Sequence, residues 1–199
     1  MSPIRIANAP VSWGALEFEG FKQKPLTYDV FLDEVAETGY AGTELGDWGF
    51  LPTDPAVLRE ELDQRGLALI GAFVPVLLRD PDALTAGIEH ALRVARLLAA
   101  VVPDGDRRTG PFIVVADDNA TDPGRTLNAG RITPEMGLPE AEWAGYAGRA
   151  EAVAHAVREE TGLHSVFHPH AAGWVETPAE TDRFLAETDP AMIGIVFDT

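Results

Sequence analysis

The sequence contains no cysteine in its 199 residues. That excludes a disulfide framework, a thiolate nucleophile and any sulfur-ligated metal site. A metal would have to be held by His, Asp and Glu. Basic residues are scarce: 15 Lys plus Arg stand against 32 Asp plus Glu, a formal net charge of −17 at pH 7. Nucleic acid and anionic membranes are recognised through basic faces, so neither is an expected partner. An acidic balance suits cation binding, and it equally suits a plain acidic, solvated surface. Long hydrophobic runs are absent too. The best, Leu92 to Val102, is broken by Arg93 and Arg96 and falls well short of the roughly 20 apolar residues that cross a bilayer. The N-terminus, Met-Ser-Pro-Ile-Arg-Ile-Ala, has neither the apolar core nor the small-residue cleavage site of a signal peptide. The cytoplasm is therefore the expected compartment.

What is there is a regular alternation. Hydrophobic residues make up 46% and charged residues 24%, enough apolar content for a sizeable core. Short apolar runs at Ile4–Val11, Tyr40–Leu45, Leu67–Val76, Phe112–Ala116, His164–His170 and Ile193–Phe197 are expected strands. Between them lie helical patterns with start and stop signals: Thr27 before and Gly39 after the first, Asp54-Pro55 and Gly66 around the second, Asp80-Pro81 before the third. The fourth spans roughly Glu140 to Glu160, and Thr177-Pro178 with Glu180 opens the fifth as a capping box. Ala120 to Leu138 reads as a long irregular stretch, the length at which loops are functional or disordered. Unbroken strand–helix alternation means parallel βα units in a single domain, residues 1–199. Six units fit either a doubly wound sheet or part of a (β/α)8 barrel. Neither Gly-x-Gly-x-x-Gly nor Gly-x-x-x-x-Gly-Lys-Ser/Thr is present, which counts against the two common nucleotide-binding versions.

In parallel α/β folds ligands bind at the carboxyl ends of the strands, and polar side chains cluster there. Phe167 runs into His168 and His170, which share one face if the strand continues. They could ligate a metal, donate to a substrate oxygen, or act as acid and base, and structural histidines are the competing explanation. Glu176 and Asp198 are the carboxylates best suited to a divalent cation, although Glu176 also fits a plain acid at a helix start. Glu44 could accept hydroxyl hydrogen bonds or pair with an arginine. Trp13, Trp48 and Trp174 fall just past strand ends, where aromatics pack on a ligand or anchor a loop. Asp117, Asp118 and Asn119 suit turn initiation as well as they suit ligand binding. His90 and His155 lie inside helices, and His164 starts a strand.

Three stretches carry a family resemblance: Ala-Pro-Val-Ser-Trp-Gly near the start, Gly-Tyr-Ala-Gly-Thr-Glu-Leu-Gly, and Phe-His-Pro-His-Ala-Ala-Gly-Trp-Val-Glu-Thr with Phe-Asp-Thr at the end. They resemble the xylose-isomerase-like TIM-barrel superfamily of sugar phosphate isomerases and epimerases. Within it the likeness is nearest to the inosose dehydratases, which remove water from 2-keto-myo-inositol. The resemblance implies a parallel (β/α) barrel, here about six of eight units and C-terminally truncated, with self-association expected from the open strand edges. It implies a divalent metal, Mn2+ or Co2+ with Mg2+ as a substitute, held by Glu176 and Asp198. It also implies a small polyol or keto-sugar substrate and a metal-stabilised enolate formed by a side chain at the strand ends. The strand-end positions make Trp13, Glu44 and Trp174 the expected substrate contacts and His168 and His170 the expected proton-transfer groups. An isomerase or epimerase of the same superfamily, or a sugar-binding fragment without catalysis, is the alternative. A DNA-repair endonuclease of this superfamily would need a basic groove, which a charge of −17 opposes.

Overall fold

The alternation becomes a parallel sheet of five strands in a computed structural model, which describes residues 4–14, 26–102 and 110–197. In chain order the elements are α1 (Tyr28–Glu37), β1 (Gly42–Glu44), α2 (Pro55–Arg65), β2 (Ala68–Val76), α3 (Leu84–Val101), β3 (Phe112–Asp117), α4 (Pro123–Leu127), α5 (Trp143–Thr161), β4 (His164–His168), α6 (Pro178–Glu187) and β5 (Ile193–Ile195). The strands lie in the sheet in chain order. β1 pairs with β2, β3 with β4 and β4 with β5, all parallel. The expected α/β architecture of parallel βα units is therefore the one the chain adopts.

The helix signals act where the sequence puts them. Asp54 accepts from the amides of Ala56 (2.8 Å) and Val57 (3.1 Å) ahead of Pro55, and Gly66 closes α2 with a left-handed φ of 65°, the conformation glycine adopts without a Cβ penalty. Thr177 and Glu180 complete a reciprocal capping box on α6.

Two expectations need correction. The first strand, expected over Ile4–Val11, contracts to an isolated bridge between Asn8 and Thr43. The segment still bonds alongside β1: Ile6 O accepts from Ala41 N, Asn8 N donates to Gly42 O, and Asn8 O accepts from Glu44 N. Pro10 then turns the chain into a short 3-10 helix, Pro10–Trp13, because proline offers no N–H to extend a ladder. The second correction concerns Ala120–Leu138. That stretch contains α4 and a 3-10 turn at Pro134–Met136. Asp122 caps α4 by accepting from Arg125 N at 2.8 Å, and Pro123 takes the first helical position.

The chain divides into two compact units, Met1–Phe73 with Arg96–Pro111, and Val74–Ala95 with Phe112–Thr199. In the first, Phe31, Leu32 and Val35 of α1 and Leu58 and Leu62 of α2 are buried. Arg59 donates to the carbonyls of Ala100 and Val101, the orphan acceptors at the end of α3. In the second, Ala147, Ala150 and Ala154 are buried on α5, small enough to let the helix approach the sheet closely. Phe167 of β4 stacks on Phe184 of α6, ring centroids 4.1 Å apart.

Candidate functional site

The stacking of Phe167 on Phe184 fixes which way β4 faces. Side chains alternate along a strand, so Ser165 and Phe167 point to the helix layer, and His164, Val166 and His168 point to the opposite face. Burial follows the same period: Ser165 and Phe167 are buried, and the other three are half-buried. β3 runs in register with β4, Ala116 opposite His168. Asp117 is therefore on the helix side and His168 on the other, although the two are neighbours at the strand ends.

His168 and His170 come together as expected. Their rings meet edge to face with centroids 5.2 Å apart. The chain turns sharply after them. His170 N donates to Val175 O and Gly173 N to His170 O, each at 3.0 Å, so residues 170–175 form a closed turn carrying His170 at its base.

That turn is fastened from several sides. Asp117, 3% exposed, accepts from Trp174 N at 2.9 Å. Burial pushes its pKa up to about 6; the amides of Trp174, Leu78 and Asp118 pull it back in part, and the Asp118 charge adds to the rise. Arg125, 1% exposed, donates through Nε to Gly173 O at 2.6 Å and forks onto Glu180 at 2.8 and 3.0 Å. Its Nη1 also reaches Met136 O at 3.0 Å. Glu180 accepts from the amides of Glu176 and Thr177. Burial alone would raise the Glu180 pKa, and its bonds from Arg125, Thr177 and Glu176 outweigh that and lower it.

Trp174 is 7% exposed. Its ring takes the guanidinium groups of Arg79, 4.1 Å from the centroid, and of Arg125, at 5.2 Å, in cation–π contact. Arg79 is in turn paired with Glu142. The Tyr146 hydroxyl is fully buried beside Asp117; burial, then the Asp117 charge and the interaction with its carboxylate, hold its pKa well above the usual phenol value.

Glu176 accepts from Ala172 N at 2.8 Å through one carboxylate oxygen and from Gly130 N through the other. It ties the turn to the segment after α4. Asp198 lies outside the described residues. Among the described residues no three His, Asp or Glu side chains gather closely enough to hold a metal ion. The side chains described therefore do not by themselves fit the divalent cation that the resemblance implies.

Glu44 and Trp13 belong to the first unit. Glu44, half-buried at the end of β1, has its pKa raised by burial. Trp13 packs edge to face on Phe31 (5.5 Å) and Tyr40 (6.0 Å) and donates from Nε1 to Glu34 at 2.7 Å. Trp48 is 38% exposed. His90 is held below the usual imidazole pKa by burial and by Arg93, and His155 lies 3.4 Å from Glu159 on exposed helix surface.

Sequence reasoning missed Arg125 and Glu180 as site-building residues. The signal for Arg125 was the Asp122-Pro123 pair, the same helix opening as Asp54-Pro55 and Asp80-Pro81. It puts a helix inside the supposed loop and Arg125 in its first turn.

No protein-family model matches the chain. It is 32% identical over 199 residues to an inosose dehydratase of Geobacillus kaustophilus, covering 100% of this chain and 61% of that one. To an inosose dehydratase of Salmonella typhimurium it is 29% identical, covering 98% and 61%. The chain thus spans about three fifths of the length of these relatives. Among solved structures it superposes on the probable 3-DHS dehydratase AsbF of Bacillus anthracis (TM-score 0.65, 13% identity, 96% of this chain and 62% of that one). It also superposes on a xylose isomerase-like TIM barrel protein of Mycobacterium smegmatis in complex with magnesium (0.64, 15%, 98% and 64%). A third match is the 3-keto-D-glucoside 4-epimerase YcjR of E. coli (0.61, 19%, 97% and 67%). The chain has the fold of the xylose isomerase-like TIM barrels and is similar in sequence, over its whole length, to inosose dehydratases.

Proposed function

We propose that the whole protein is a sugar- or inositol-converting dehydratase acting on 2-keto-myo-inositol, to which residues 1–199 contribute part of a single (β/α) barrel domain. The observation that carries this reading is the 32% identity to an inosose dehydratase along the entire chain. The geometry supports it through the His168–His170 pair at the end of β4.

The chemistry assigned to these residues is a proton relay. Dehydration of a β-hydroxy ketone breaks a C–H bond α to the carbonyl and a C–O bond at the β carbon, forms a C=C bond, and releases water. One imidazole takes the α proton as general base. The other gives a proton to the departing hydroxyl as general acid. Imidazole suits both roles because its ordinary pKa lies near neutrality. Glu44 and Trp13 are proposed to contact the polyol. Trp174 serves the substrate through the turn it anchors, its own ring being covered by Arg79 and Arg125.

Mn2+ or Co2+ is the proposed ion of the whole protein, with Glu176 and Asp198 as its proposed carboxylate ligands. A magnesium complex among the fold neighbours supports a divalent cation. The described residues do not assemble such a site, so no step is assigned to the ion. The proposed partner is a small keto-polyol, and the charge of −17 on these 199 residues opposes nucleic acid and anionic membrane surfaces. The proposed compartment is the cytoplasm, and a homo-oligomer is the proposed assembly.

The second reading is an epimerase, favoured by the epimerases among the structural neighbours. It shares proton abstraction and differs in where the proton returns, which the fold does not decide. Product analysis decides between them. The whole protein, given inosose with Mn2+ or Co2+, is expected to release one water per substrate. Untouched inosose together with an epimerised ketose would replace the dehydratase by the epimerase. Calorimetric binding of inosose without turnover would leave a sugar-binding protein.

A further inference from the structure

The peptide bond between Gly173 and Trp174 is held at both ends by buried ionisable side chains. Its carbonyl accepts from Arg125 Nε at 2.6 Å, and its N–H donates to Asp117 Oδ2 at 2.9 Å. Asp117 comes from the end of β3 and Arg125 from α4, so two elements that precede the turn in sequence fix a single peptide plane within it. We infer that Asp117 and Arg125 are positioning residues whose joint hold on this peptide sets the place and orientation of His170. The inference rests on the proposed proton-transfer role of His170.

Three observations converge on it. First, isolated buried charges are costly, and a core position beside α5 and α6 would be served by an apolar side chain. Every Arg125 donor direction described ends instead on the turn or on what supports it: Gly173 O, Met136 O and both oxygens of Glu180. Lysine, with three donors on one atom, could not reach the carbonyl and fork onto the carboxylate together. Second, Glu180 carries the hold onward to the amides of Glu176 and Thr177, so the far end of the turn and the start of α6 share one anchor. Third, Gly173 leaves little slack. A Cβ there would stand 3.0 Å from Asn119 Oδ1 and 3.1 Å from His170 O, so the peptide sits against the carbonyl of the residue it positions.

The hold reaches His170 through few bonds. Gly173 N donates to His170 O, and His170 N donates to Val175 O. A shift of the 173–174 peptide therefore moves His170 directly, and displacements of about 1 Å in a reacting group cost on the order of 100-fold in rate.

The test uses the full chain. In the unmodified protein, amide hydrogen exchange of Trp174 is expected to be slowed at least about 100-fold relative to an unstructured peptide, on a par with β3 and β4. Exchange within about tenfold of the unstructured rate overturns the inference. In Arg125→Lys, the His170 ring resonances are expected to shift while those of His155, on exposed helix surface, stay in place; unmoved His170 resonances overturn it. Where inosose is turned over, the same variant is expected to lose about 10- to 100-fold in kcat with KM within about threefold, and an unchanged kcat overturns it. If Arg125→Lys does not fold, exchange in the unmodified protein decides. Exchange and the His170 resonances require no turnover, so failure of the dehydratase reading and failure of this inference are distinguishable.

Discussion

Asp117 and Arg125 bind opposite ends of one peptide, the carboxylate taking the Trp174 N–H at 2.9 Å and the guanidinium giving a hydrogen bond to the Gly173 carbonyl at 2.6 Å. Gly173, whose carbonyl takes one of these contacts, sits where a Cβ would be tighter than an ordinary contact, so a neighbour would have to give by a few tenths of an ångström. Gly173→Ala would place a methyl group 3.0 Å from Asn119 Oδ1 and 3.1 Å from the His170 carbonyl, so either the methyl or the peptide must move. The expected outcome is a loss of about 1–3 kcal/mol in urea denaturation, the usual cost of overpacking a tight site. A loss below about 0.5 kcal/mol would show that the turn gives way freely.

Asp117 makes stability depend on pH in a defined direction. Its folded pKa, about 6, lies above the roughly 3.9 of an unfolded aspartate. The folded state therefore holds its proton to higher pH than the unfolded state does. Stability falls as pH rises between about 4 and 6, and the full cost, about 2–3 kcal/mol, is present above 6. Asp117→Asn keeps an oxygen for the Trp174 amide and removes the charge. It is expected to stabilise the protein at pH 7 and to change it little at pH 4. Denaturation of both proteins at the two pH values checks this; a benefit larger at pH 4 would reverse the sign and refute the burial argument.

The fold was legible wherever local chemistry decides. Asp54-Pro55 and Gly66 start and stop α2, Thr177-Pro178 with Glu180 opens α6, and short apolar runs mark β2 to β4. The first strand was overread because Ile4–Val11 is apolar while Pro10 denies it a ladder. At the site, the His168–His170 pair follows from alternation at a strand end. The hold on the turn does not, because Arg125 and Glu180 are 55 residues apart and neither lies in a local pattern that brings them together. Glu176 shows the same limit. Its place just before Thr177 reads as a metal ligand or as a helix-start acid, and only the folded chain shows its two oxygens on the amides of Ala172 and Gly130.

Arg125 and Glu180 form a buried, two-pronged ion pair, side chains 1% and 10% exposed. Removing one partner strands the other's charge, so Glu180→Ala is expected to cost about 3–5 kcal/mol. Part of that loss is the capping box, since Glu180 also accepts from Thr177 N. Arg125→Met combined with Glu180→Met leaves no buried charge and is expected to cost clearly less than the two single changes added together. A double-mutant cycle by chemical denaturation measures the coupling. Strict additivity would mean that the pair is not interacting in solution.

The two strand-end histidines make the last prediction. His168 and His170 are half-buried, and replacing them by asparagine removes the titratable ring while keeping a polar side chain of modest size. Each variant gives up the edge-to-face ring contact and is expected to lose about 1 kcal/mol in chemical denaturation, the centre of the range for single substitutions, so both remain folded. Their effect on dehydration of inosose by the whole protein is expected to be large, about 100- to 10,000-fold in kcat for each, the range for loss of a general acid or base. If one residue is the base and the other the acid, the rate–pH profile of the unmodified enzyme is bell-shaped. Each variant then loses one limb, the rising limb with the base and the falling limb with the acid. Full activity in His168→Asn and His170→Asn would remove both from the proton relay and leave the strand-end carboxylates as the groups to test.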